Sequence, residues 1–206
     1  HGASSFRAAI ATLLEEDLKI SAVNPDNIVV ASGSSAILES IAMALFEDGD
    51  GLIVPAPFYS GFTHDFSTRF NVKLLPYGLS ADNNYELDID GLETAVSQAK
   101  QTGITIKAIL ICSPHNPLGI TYTNETLEQI VQLAEAHNLD IIADEIYAQS
   151  VYSGQFKSML EIGKAYRQHI HFTYGFAKDF ALSGFKTGVF YSENKELVTA
   201  VQEIAY

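Results

Sequence analysis

Seven short, almost continuously apolar runs alternate with stretches of helical periodicity. This alternation constrains the fold of the chain more than any other feature. The runs are "NIVVASG" (27–33), "GLIVPAP" (51–57), "VKLLPYG" (72–78), "IKAILICS" (106–113), "LDIIADE" (139–145), "IHFTYGF" (170–176) and "TGVFYS" (187–192). Runs apolar at every position are what strands covered on both faces require. Between most of them the apolar period lengthens, over 34–47, 88–101 and 123–138, with Asp88 and Thr123 as N-cap candidates. Strand–helix alternation predicts an α/β fold, a three-layer α/β/α sandwich around a mostly parallel seven-stranded sheet. The link from "FAKDF" to "TGVFYS" is too short for a helical crossover, so the last strand is expected to pair antiparallel.

A chain of 206 residues, 47% hydrophobic, is long enough to bury one such core. Its net charge of −13 argues against a nucleic-acid partner, whose footprint would be basic. An anionic ligand would instead need a local device, a helix N-terminus or a placed cation. The single cysteine, Cys112, reads as a core residue and excludes a disulfide framework, which fits a reducing compartment such as the cytoplasm. No apolar run approaches the ~20 residues of a membrane span. The opening "HGASSFRAAI" lacks the basic-then-apolar pattern of a signal peptide and the initiating methionine, so the chain is expected to be an excerpt of a longer one.

In open α/β sheets, ligands gather beyond the carboxyl ends of the strands. Here those ends carry the unusual residues: "SGSSA", "PAPFYSG", "SPHNPLG", "ADEIY" and "GFAKD", five loops expected on one rim. Ser34 and Ser35 open a helix, where backbone N–H groups and hydroxyls suit a phosphate. Two lysines, Lys178 and Lys186, stand close together in an otherwise acidic chain. An acid at 144, directly after "LDIIA", would be costly to bury without a partner, whereas Glu145 is expected to point the other way and serve structure.

Together, "SPHNPLG", "ADEIY" and "AKDFALSGFKTG" resemble the fold-type I pyridoxal-phosphate (PLP) enzymes, in the family's order and at about its spacing. The resemblance is to class I/II aminotransferases, within them to the aminocyclopropane-carboxylate-synthase-like branch. It implies that residues 1–206 are the large PLP-binding domain, with the N-terminal segment and the small C-terminal domain outside this chain. Lys178 matches the family's Schiff-base lysine, and Asp144 the partner of the pyridine nitrogen. Asn116 and Tyr147 match the pair that hydrogen-bonds the phenolic oxygen, and Tyr59 the aromatic residue that stacks on the ring. Ser34, Ser35 and Lys186 fall where the phosphate is held.

Two positions depart from the family pattern. Gly175 stands where a serine is usual, and Lys186 where an arginine is usual, a point charge in place of a planar fork. A serine at 175 is expected to restore a hydroxyl to the phosphate cup. The resemblance implies an amino-acid substrate, a 2-oxo acid and a homodimer in the full-length protein. Transamination is the leading reading. Elimination from S-adenosylmethionine, a PLP-dependent ligand-sensing domain of a transcription regulator, and a scaffold that no longer holds PLP stay open. No metal site is expected: His169 and His171 have no acidic or cysteine partner at ligand spacing.

Overall fold

Each apolar run folds as a strand. The computed structural model describes residues 2–205. Its strands are β1 (Ile28–Ala31), β2 (Gly51–Ala56), β3 (Lys73–Gly78), β4 (Ile106–Cys112), β5 (Asp140–Asp144), β6 (Ile170–Gly175) and β7 (Gly188–Tyr191). They form one sheet in the order β1-β7-β6-β5-β4-β2-β3. The pairs β2/β3, β2/β4, β4/β5 and β5/β6 are parallel. As the short link before it requires, β7 is antiparallel, and it is so to both neighbours, β6 and β1.

Side chains alternate between two cores, because successive residues of a strand point to opposite faces. On β4, Ile109 and Ile111 enter one core while Ala108, Leu110 and Cys112 enter the other. On β5, Ile141 and Ala143 go to the first and Ile142 to the second. The first core is closed by α1 (Ser4–Glu16), α3 (Ile89–Gln101) and α4 (Asn124–His137), through residues such as Leu14, Val96 and Ile130. The second is closed by α2 (Ser34–Leu45), α6 (Lys195–Ile204) and a π-helical turn, Thr63–Thr68, through Ile41, Val201 and Phe66. The chain is thus a three-layer α/β/α sandwich. A four-residue helix, α5 (Met159–Ile162), follows β5.

Thr123 caps α4 as expected, its hydroxyl accepting from Thr126 N at 3.1 Å. Asp88 occupies the N-cap position of α3, but its side chain makes no capping bond; its carbonyl accepts from Tyr77 Oη instead. α1 and α6 lie outside the patterns marked in the sequence. Among the described residues, no helix is long and apolar enough to cross a membrane.

The start of α2 is set by backbone contact. Gly33 has φ +98°, a region open to glycine at little cost. A β-carbon on Gly188 would lie 2.3 Å from Gly33 C and 2.7 Å from Ser34 N, so bare backbone on β7 lets the helix end approach. That seat fixes the first turn of α2 at the carboxyl-end rim of the sheet.

Candidate active site

The carboxyl ends of the parallel strands meet the first turn of α2 around a pocket of about 290 Å³. All eight residues singled out from the sequence line it. Ser34 and Ser35 come from α2, Tyr59 from the loop after β2, and Asn116 from the loop after β4. Asp144 ends β5 and Tyr147 follows it; Lys178 and Lys186 come from the link between β6 and β7.

Asp144 lies at the floor, 6% exposed. Parallel pairing sets Thr173 of β6 directly beside it, and Thr173 Oγ1 donates to Asp144 Oδ1 at 3.2 Å. Burial pushes the Asp144 carboxyl up to about 6, against the hydrogen bonds from Thr173 and the Ile146 backbone; nearby Asp65 adds to the rise. A buried carboxyl held this way favours a cationic or protonated partner.

Glu145 points away, as expected. Its Oε1 accepts from Met159 N at 2.7 Å, at the start of α5, and burial pushes its carboxyl up to about 8. Adjacent acids thus serve opposite faces of one strand end.

Lys178 is exposed, with Nζ 5.8 Å from the centroid of the Tyr147 ring. Burial raises the Tyr147 phenol, with smaller contributions from Cys112, Asp144 and Asp179, so its hydroxyl keeps its proton and remains a donor. The turn bearing Lys178 is pinned by its neighbour. Asp179 accepts from Tyr174 Oη at 2.8 Å, Ser150 Oγ at 2.6 Å and Gln149 N at 2.9 Å. Lys186, exposed at the opposite side of the link, has φ +49°, a left-handed conformation.

Three residues were not legible as site residues. Thr173 reads as an ordinary strand position, and Asp179 as a surface acid. Asp65 lies in a segment with no assigned element; it is 4% exposed and lines the pocket. Cys112, read as core, is buried and also lines the pocket. The two histidines of the metal check gain in space the acid they lack in sequence. His169 Nδ1 and His171 Nε2 lie 3.0 and 3.2 Å from Asp140 Oδ1. The first is a hydrogen bond and the second a close approach, both at the amino ends of the central strands β5 and β6, away from the pocket.

A pocket lined by the first turn of α2, two lysines and a buried carboxyl suits an anionic group. Residues 1–206 match the family of class I and II aminotransferases, and the chain belongs to that family of PLP-dependent enzymes. It is 33% identical over 99% of its length to 1-aminocyclopropane-1-carboxylate synthase 6 of Oryza sativa subsp. japonica, matching 39% of that protein. It is 35% identical over 89% of its length to "Probable inactive 1-aminocyclopropane-1-carboxylate synthase-like protein 2" of Mus musculus, matching 33% of that protein. Among solved structures, an aspartate aminotransferase from Thermotoga maritima superposes with a TM-score of 0.86 at 29% identity, over 99% of this chain and 52% of that one. The chain therefore spans about two fifths of the rice synthase and about half of the bacterial aminotransferase.

Proposed function

We propose that residues 1–206 form the large, cofactor-holding domain of a PLP-dependent aminotransferase-like enzyme acting on an amino acid and a 2-oxo acid. The observation that carries this reading is the meeting of Lys178, Asp144, Asn116 and Tyr147 with the first turn of α2 in one pocket. The residues fit the group. Ser34, Ser35, the N–H groups opening α2 and Lys186 would hold its phosphate. Asp144, whose carboxyl has no cationic partner among the described residues, would hold a proton on the ring nitrogen. Asn116 and Tyr147 would donate to the phenolic oxygen, and Tyr59 would stack on the ring. Lys178 Nζ would hold the aldehyde carbon covalently and, once displaced by a substrate amine, move the proton at the substrate Cα. When bound, the cofactor supplies the electron sink that makes that proton removable.

A homodimer in the full-length protein and a cytoplasmic location belong to the same proposal. Exposed Phe6, Phe180, Leu182 and Phe185, gathered around one groove, support further burial of this face. Elimination from S-adenosylmethionine, in keeping with the names of several relatives, would use the same residues. A second reading, a scaffold that holds no cofactor, is favoured by Gly175, Lys186 and the mouse relative's name.

Borohydride treatment of the full-length protein loaded with PLP separates the two readings. Cofactor should become fixed to the peptide containing Lys178. Label on Lys186 or Lys164 would overturn the assignment, and no label at all would favour the scaffold.

A further inference from the structure

Behind the first turn of α2, on the π-helical turn Thr63–Thr68, the mechanism above leaves one pocket acid unused. Asp65 is almost wholly buried, lines the pocket, and has an Oδ2 with no hydrogen-bond partner among the described residues. Ser35 lines the same pocket, and its side chain pulls the Asp65 carboxyl down. An acid lodged against a cup meant for an anion is electrostatically misplaced if it stays ionised.

The hydroxyl of Ser35 has one hydrogen, and an ionised carboxylate can only accept. An ionised Asp65 could draw that hydrogen to itself, leaving Ser35 to turn lone pairs toward an anion in the cup. Once Asp65 is protonated it can donate to Ser35 Oγ, and the Ser35 hydrogen is free for the anion. Resting on the reading of this pocket as a phosphate site, we propose that Asp65 is a positioning residue that takes up a proton together with the phosphate and thereby turns the Ser35 hydroxyl into a donor.

The surroundings agree. Burial pushes the Asp65 carboxyl up to about 6, and Glu39 on α2 raises it further. Ser35, His64 and Arg69 pull it down. Asp144 on β5 is itself raised in part by Asp65. Lys178 and Lys186 line the same pocket, and Lys73 of β3, a strand in contact with the turn, is exposed. With the folded-state value at about 6, the proton is nearly absent from the free site at pH 8, so on this proposal it would enter along with the dianion. By linkage, phosphate affinity and proton affinity then rise together.

The test uses the full-length protein with PLP and with pyridoxal, which lacks the phosphate, followed by absorbance at several pH values. In Asp65→Asn, PLP should bind on the order of tenfold tighter than to the parent at pH 8.5, about one pK unit of relieved repulsion. The gap should close toward pH 6, and pyridoxal should not distinguish the two proteins. Equal phosphate dependence in both, or weaker PLP binding to Asp65→Asn at pH 8.5, would overturn the inference. Binding of neither ligand to the parent would overturn the phosphate-site reading, and the inference with it. Calorimetry on the parent alone, in two buffers of different ionisation enthalpy, needs no variant. PLP binding at pH 7 should take up a larger fraction of a proton than pyridoxal binding, and equal uptake would refute the role of Asp65.

Discussion

A β-carbon on residue 175 would lie 2.6 Å from Ser34 Oγ and 3.2 Å from the Thr187 carbonyl oxygen. The place that a side chain at 175 would take is therefore already filled by the Ser34 hydroxyl, which donates to the Tyr174 carbonyl oxygen at 3.4 Å. This corrects the expectation that a serine at 175 would simply add a hydroxyl to the cup: it would first have to displace Ser34. Glycine at 175 and serine at 34 act as a size-matched pair. Gly175→Ser alone should weaken PLP binding, because the newcomer and Ser34 cannot both keep their places. Adding Ser34→Ala should recover most of the loss, since one hydroxyl then occupies the space made for one. Contacting residues typically couple by about 0.5–3 kcal/mol, within reach of a PLP titration of the two single variants and the double. Strictly additive effects would show that the two positions do not share the space.

At the scale of elements, the loop after β6 is tied to the loop after β5 through Asp179, which collects hydrogen bonds from Tyr174, Gln149 and Ser150. Two strand ends so joined hold Lys178 over Tyr147, with no ion pair from Lys178 to a carboxylate among the described residues. Asp179→Ala should lower stability by about 2 kcal/mol, a typical return for three partly exposed hydrogen bonds. It should also speed amide hydrogen exchange over residues 176–182 while leaving β4 unchanged; unchanged exchange in that turn would refute the tie. The sequence disclosed the strands because burial on both faces leaves a mark at every position, as in "AILIC" of β4. It disclosed Lys178, Asp144 and Asn116 because they sit in dense local motifs. It could not disclose Thr173 beside Asp144, because that neighbourhood comes from parallel register between segments far apart in the chain. Asp65 was hidden for a different reason: its burial depends on a π-helical turn whose residues, "THDFST", carry no clear periodicity. α1 was obscured by apolar residues on its other side, such as Phe6 and Leu13, that blur its stripe.

At the scale of the whole molecule, three buried carboxyls make stability depend on pH. Burial pushes Asp65 and Asp144 up to about 6 and Glu145 up to about 8. Each binds its proton more tightly folded than unfolded, so each favours the folded state at low pH, and that advantage is lost as pH rises through the folded value. For Glu145 the window runs from its ordinary value of 4.5 to about 8. Urea unfolding of the PLP-free protein should show the parent losing stability relative to Glu145→Gln across that window, by at most about 1.4 kcal/mol per pH unit. Parallel curves would mean that Glu145 does not titrate there. Glu161 works in the opposite direction: backbone and side-chain hydrogen bonds from Ser21, with Lys164, hold its carboxyl down at about 2, despite some burial. Its contribution is therefore lost as pH falls from its ordinary value of 4.5 through about 2. The antiparallel strand β7 also governs the order in which the molecule can be made. Residues 28–31 are translated well before their pairing partner, 188–191. At typical translation speeds the interval is on the order of ten seconds, during which β1 has an open edge and no mate. A chaperone that holds unpaired strands would meet the nascent chain in that interval, with β1 on offer and the strand that closes the sheet not yet synthesised.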